Sequence, residues 1–336
     1  MRLAIADEHQ HPLHEEIVAA VAAAADEAGI HAERLTDPQR EQEFDVLLLL
    51  GYPHFYPSFL DEPILARRMC WFGENLPHRP ASVAERLARA LPSARMLDVL
   101  HDTLGRISGR RARDTILAWR EKAAVEREFG RNLAELRRAH EWVEELAVPS
   151  ANRVAGARLA GWEARQVPFG YHAAMCGPLV PADAPGRDID VLFLGRDVNA
   201  RGRRARWLEL FQRQIGDGVK VVVVDRGLYG AERHALLART RIVVDIHRVP
   251  FNSTGMRFLL VTAGGAALVN EETFDVWLPR PEEHIVEAPR EGLAAAVLSL
   301  LDDEDRRRRL VDASQNLLRT ELSMGKCLSR VLGLER

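Results

Sequence analysis

The sequence predicts an α/β protein made of two Rossmann-like halves, and three observations predict it. Short β-branched runs alternate with longer helical stretches through most of the 336 residues, the rhythm of parallel sheets covered by helices. A Pro-, Gly- and Ala-rich passage, Pro178–Arg187, separates two such series. The densest unit, Arg241–Asn270, holds a buried strand, a polar turn, an apolar helix, a Gly-Gly stop and a second buried strand.

In the first half, Leu3–Ala6 reads as a strand, followed by a His-rich loop and a helix over Glu15–Ala28 that Gly29 ends. His31–Leu35, Asp45–Leu50 and Met69–Phe72 continue the sheet. Residues 82–146 read as mostly helical, with Ile116, Ala123, Leu133, Leu136, Trp142 and Leu146 spaced among dense charges. Short strand ends follow at Ala147–Ser150 and Arg165–Pro168. The second half starts again with the strand Asp190–Leu194 and the helix Arg204–Gln214. Then come the strand Lys220–Val224, the helix Ala231–Arg239 and the Arg241–Asn270 unit. A strand at Ile285–Glu287 and helices near Gly292–Leu301, Asp305–Thr320 and Leu322–Leu334 close the chain. The expected domains are 1–180, 181–320 and a terminal helix over 321–336.

Composition narrows the function classes. With 46 Lys and Arg against 49 Asp and Glu the net charge is −3, so nothing marks the chain as a nucleic-acid binder. The amino terminus lacks a signal-peptide pattern, and no apolar run approaches the roughly 20 residues of a membrane span. Cys70, Cys176 and Cys327 are scattered without metal spacing, as expected of reduced thiols in a cytoplasmic protein.

Within Arg241–Asn270, Asn252, Ser253 and Thr254 are N-cap types placed just before the helix Met256–Ala263. A helix that starts at the carboxyl edge of a parallel sheet points its N–H groups into the crevice, where phosphate binds. Arg248 and Arg257 flank the turn with the planar donor fork that suits phosphate oxygens. Gly195 and Arg196 end the first strand of the second half, where ligands of open α/β sheets bind.

Four passages, in order, resemble a known family. They are Val148-Pro149-Ser150 with Gly161 and Val167–Tyr171; Asp190–Arg196; Ile242–Arg248 with Thr254–Val269; and Leu322–Leu334. Together they resemble the two-domain GT-B glycosyltransferases, in the spore-maturation-protein-like, family 1-like branch. The likeness covers roughly residues 145–334 and is architectural over 1–140. It implies two Rossmann-like domains facing a central cleft, the second holding a nucleotide-sugar donor and the first an acceptor. It also implies a hexosyltransferase-like reaction without a metal or other cofactor, the nucleotide-sugar being a co-substrate. The terminal helix would cross back to the first domain. One departure stands out: aligned on Gly264–Gly265, Asn252 and Leu260 occupy positions that are glutamates in large retaining branches. The turn therefore assigns neither a retaining nor an inverting course.

On this reading the donor residues are Gly195, Arg196, Asp225, Arg226, Tyr229, His247, Arg248, Asn252, Ser253, Thr254, Gly255, Met256, Arg257 and Glu271. Asp225, Arg226 and Tyr229 would border the nucleobase, and Glu271 would hold a ribose or sugar hydroxyl. Asp245 and His247 end the next strand. In the first half His9 and His11 are the candidate bases, since an imidazole with a pKa near neutrality suits removal of a hydroxyl proton. The rival reading of His9, His11 and His14 is a metal site. Glu74 is the third catalytic candidate, and Tyr52, His54, Asn75, His101 and His172 are the acceptor candidates. The partners expected are a nucleotide-sugar and an acceptor, with no nucleic acid and no membrane span; a homodimer is compatible with the sequence. Two rival functions remain: a nucleotide-sugar epimerase of the same form, and a degenerate sugar-nucleotide-binding protein, which the missing glutamates favour. An NAD enzyme lacks its Gly-x-Gly-x-x-Gly loop.

Overall fold

The computed structural model describes residues 1–8, 11–77, 79, 81–82, 110–195, 203–247, 255–273 and 278–335. Two parallel sheets organise it. The first contains β1 (Arg2–Ala6), β2 (His31–Leu35), β3 (Val46–Leu50), β4 (Arg67–Trp71), β5 (Glu145–Val148) and β6 (Arg165–Gln166) in the order β2-β1-β3-β4-β5-β6. The second contains β7 (Ile189–Leu194), β8 (Val221–Val224), β9 (Thr240–Asp245), β10 (Ala267–Glu271) and β11 (Val286–Ala288) in the order β11-β10-β9-β7-β8. Every pairing in both is parallel. The helices that matter below are α1 (Pro12–Glu27), α2 (Arg110–Ala139), α3 (Ala151–Leu159), α4 (Arg203–Ile215), α5 (Gly230–Ala238), α6 (Gly255–Ala263), α7 (Leu293–Asp302), α8 (Glu304–Thr320) and α9 (Met324–Leu332).

The central strands are buried on both faces, as their unbroken apolar runs demand: all five residues of Val46–Leu50 are buried. Val221–Val224 differs. It is the edge strand of its sheet and is only partly covered, with Val223 exposed. A run of four valines therefore marks strand character without marking the centre of the sheet. Helix α1 begins at Pro12, three residues earlier than the periodicity suggests, because His11 caps it and proline suits the first turn.

Two features set how the halves meet. Helix α9 packs on α1, with Cys327, Leu328 and Val331 in the same buried cluster as Val18 and Val21. Its entry is pinned where Tyr171 N–H donates to Leu322 O at 2.6 Å and Met324 N–H donates to Tyr171 O at 2.8 Å. Gly170 sits against the Met324 backbone so closely that a Cβ would lie 2.5 Å from Met324 Cα, so glycine is required there. Glu16 of α1 supplies the second tie: it forms a largely buried ion pair with Arg233 of α5 at 2.8 Å and accepts from the Gly230 N–H that opens α5.

Candidate active site

In an open parallel sheet, ligands bind beyond the carboxyl ends of the strands where strand order reverses. The reversal lies between β1 and β3 in the first sheet and between β7 and β9 in the second. One cavity of about 470 Å³ meets both: His11, His14, Leu50 and Gly51 line it from the first sheet, and Asp245, Gly255, Met256 and Arg257 from the second. A second cavity of about 350 Å³ continues it on the β7–β8 side, past Gly195, Arg226 and Tyr229. Leu13, Arg204, Met256 and Arg257 line both.

Arginines bridge the second switch point in both directions. Arg257, on the helix after β9, reaches back to β7 by donating from Nη1 to Leu194 O, and its Nε lies 3.1 Å from Asp245 Oδ2. Arg204, on the helix after β7, donates from Nε to Ile246 O at 2.8 Å. Its neighbour Arg203 donates to His247 O at 2.7 Å and forms a forked pair with Glu271. Each exit of the switch point is thus tied to the helix that follows the other strand. Two of the guanidiniums that line the cavity, those of Arg204 and Arg257, come from this crossed arrangement.

The first-domain wall is built differently. Tyr56 donates its one hydroxyl proton to Leu50 O at 2.8 Å and accepts from Leu50 N–H at 3.0 Å. Burial pushes its pKa well above the ordinary phenol range. Its oxygen can therefore only accept from His14 Nε2, 3.4 Å away. That assigns the proton of neutral His14 to Nε2 and makes Nδ1 its basic nitrogen. His14 itself is 6% exposed.

Several of the expected site residues have other partners or lie away from the cavities. His11 lines the cavity, but its Nδ1 accepts from Leu13 N–H at 3.2 Å as the cap of α1. The neutral ring then carries its proton on Nε2. Tyr52 is buried and gives its hydroxyl to Asn132 of α2 at 2.8 Å. His54 pairs with Glu135 at 2.9 Å. Neither Tyr52 nor His54 lines either cavity. Asn75 does line the first, yet its amide is committed at both ends, donating to Glu128 and accepting from Arg153. His172 caps a helical turn through Ala174 N–H and meets Glu27, away from the cavities. Asp225 is exposed at the end of the edge strand. Arg226 lines the second cavity while paired with Glu232 at 2.5 Å. Glu271 is bound by Arg203 and the His247 N–H, and His247 is 1% exposed with Nε2 on Asn270 at 3.0 Å. Neither Glu271 nor His247 lines either of these two cavities. Burial holds the His247 pKa below the usual imidazole value.

Gly195, Tyr229, Gly255, Met256, Arg257 and Glu74 do lie on the cavity walls. Tyr229 meets the edge of His11 across the domains, ring centres 5.6 Å apart. His9, His101, Arg196, Arg248, Asn252, Ser253 and Thr254 lie outside the described residues. Sequence reasoning missed Arg204 and Arg153 as wall residues, and it singled out His14 only in the rival metal site. Arg204 had a signal, its place in the run RGRRAR where a helix follows the first strand of the second half. Arg153 had none, because its place depends on how the elements pack. Among the described residues no group of His, Cys, Asp and Glu forms a metal site, and no helix is long and apolar enough to cross a membrane.

The glycosyl transferase-like family matches residues 131–332, well over half of the chain. The protein belongs to that family. The fold is that of the GT-B glycosyltransferases. HepE of Anabaena, solved with UDP and glucose, superposes with a TM-score of 0.58 at 11% identity, over 99% of this chain and 98% of that one. T4 phage beta-glucosyltransferase gives 0.52 at 10% identity, over 99% and 98%. TarM gives 0.53 at 9% identity over 86% of this chain; the match spans only 54% of TarM's own length. No curated protein matches the chain in sequence.

Proposed function

We propose that this glycosyltransferase-family protein moves a sugar, a hexose or close relative, from a nucleoside-diphosphate sugar to an acceptor hydroxyl without a metal ion. The observation that carries the reading is the single cavity shared by the two switch points, cationic on one wall and histidine-bearing on the other. Arg204 and Arg257 supply fixed positive charge to the departing diphosphate, the work a divalent cation does elsewhere. Gly195 and Tyr229 border the smaller cavity, which suits the nucleoside. HepE, solved with UDP and glucose, and T4 phage beta-glucosyltransferase are consistent with this donor class.

On the acceptor side His14 takes the hydroxyl proton through Nδ1, in place of His11. Glu74 holds a neighbouring hydroxyl, and Phe55 and Phe169 give the sugar or aglycone an apolar wall. Phe169 is held flat against Trp71, ring centres 4.6 Å apart, so this wall is rigid. Glu16, joining α1 to α5, keeps the two walls facing one another and so limits access of water to the donor.

A thermal-shift panel of UDP, GDP, dTDP, CDP and ADP, with and without EDTA, tests the donor site. A ligand at a hundred times its Kd adds about 2.7 kcal/mol, so one diphosphate should raise Tm clearly and equally in both buffers. No shift with any of them overturns the donor site, and a shift abolished by EDTA overturns metal independence. Release of the diphosphate from its sugar only when acceptor is present then separates transfer from epimerisation.

A further inference from the structure

Beneath the cationic wall, and facing neither cavity, lies a buried ion pair. Arg203 and Glu271 have side chains only 6% and 8% exposed. Arg203 opens α4 and follows directly on segment 196–202 after β7; Glu271 ends β10. Between them they hold His247, the residue just before segment 248–254 after β9. Its carbonyl accepts from Arg203 Nη1 at 2.7 Å, and its N–H donates to Glu271 Oε2 at 3.1 Å. Its ring is fixed as well, Nε2–H donating to Asn270 Oδ1 while Asn270 Nδ2 donates to Glu271 O at 2.7 Å.

We propose that the Arg203–Glu271 pair is the positioning strut of the donor site, locking the start of α4 to the end of β9 so that Arg204 and Arg257 meet the diphosphate in one fixed geometry. The proposal rests on the donor-site reading above. The physical reason is leverage. Arg204 is the next residue after Arg203, and its Nε bond to Ile246 O is adjacent to the His247 carbonyl that Arg203 holds. If the pair loosens, Arg204 and the β9 exit shift together, and Asp245, which orients Arg257, shifts with them. Stability alone would not select such a pair, since a buried ion pair is commonly replaced by apolar side chains without loss. A forked guanidinium–carboxylate contact does supply direction, which apolar packing lacks. Glu271 therefore acts through the protein backbone and not on a substrate hydroxyl.

The test compares Arg203→Lys, which keeps the charge and loses the fork, with the apolar double variant Arg203→Met/Glu271→Leu. Titration calorimetry measures the Kd of whichever of UDP, GDP, dTDP, CDP and ADP stabilises the wild type. Hydrogen exchange is followed for peptides covering 203–211 and 242–247 in the absence of nucleotide. Misplacement of charged groups by about an ångström is expected to weaken binding about tenfold or more in both variants, with Tm close to wild type. Both peptides should exchange faster together. Folded variants that bind as tightly as wild type overturn the proposal, because the pair is then purely structural. Faster exchange in one peptide alone also overturns it. If the double variant does not fold, Arg203→Lys decides. A wild type that binds no diphosphate removes the donor-site reading, and the site role of the strut with it, whatever the exchange shows.

Discussion

The two walls of the cleft belong to similar sheets but are built on opposite plans. On the second-domain wall, arginines serve twice, tying strand exits together and offering charge to the cavity. In the first domain, polar side chains on and behind the wall mostly spend their hydrogen bonds on the scaffold: Tyr52 on Asn132 and His54 on Glu135 behind it, Asn75 on Glu128 and Arg153 at it. Three of those contacts are with α2, which braces the loops after β3 and β4 from behind. The difference teaches that a polar residue at a strand end is a poor guide to function until its partner is known. A guanidinium has five donors and can serve structure and ligand together, whereas a phenol or an amide side chain is soon used up.

The sharpest break in the comparison is His14→Gln. If the first wall carries proton transfer, turnover falls by about 10²–10⁴ with the diphosphate Kd unchanged; full activity would move the base elsewhere. Next in size is Arg257→Met, which leaves Asp245, 5% exposed, without its cation. Removing one partner of a buried pair costs about 3–5 kcal/mol, read by denaturant unfolding, and diphosphate affinity should fall as well. Adding Asp245→Asn should return most of the stability and none of the affinity. Return of both would make Arg257 structural only. His11→Ala should cost about 1 kcal/mol of stability as a lost helix cap, with a far smaller effect on turnover than His14→Gln. Equal losses in the two would erase the distinction between them.

The smallest effect is a pH dependence of the second wall. His247 is buried with its pKa below the ordinary value of 6.5, so the unfolded chain binds its proton more readily than the folded one. Its contribution to stability is therefore complete above about pH 6.5 and is lost as pH falls below that value. Tm measured from pH 8 to pH 5 should fall more steeply for wild type than for His247→Gln. Parallel curves would show that His247 does not titrate on unfolding in this range.

Much of the fold was legible because its signals are local. Apolar β-branched runs located the strands, and the Gly264–Gly265 stop located the end of α6, where Gly265 adopts a φ of 70°. The junction passage Val167–Tyr171 was equally legible: Tyr171 is bridged to Ser323 and Phe169 lines the cleft. Part of the candidate site was legible on both sides, since Gly255, Met256 and Arg257 line one wall of the cavity and His11, Glu74 and Asn75 the other. Glu271 misled because a carboxylate past a buried strand looks the same whether it meets a ribose or a guanidinium 68 residues away.

The sequence by itself determined two parallel α/β halves, the turn-and-helix unit after β9 and the family resemblance, all of which depend on spacing within a few tens of residues. Only the tertiary structure decided which polar side chains face the cleft. That choice depends on contacts such as Tyr52 with Asn132 or Arg203 with Glu271, made between residues far apart in the chain. Burial then selects among them, because a polar group taken out of water must find a partner, and whichever partner packing brings near determines what chemistry is left to offer.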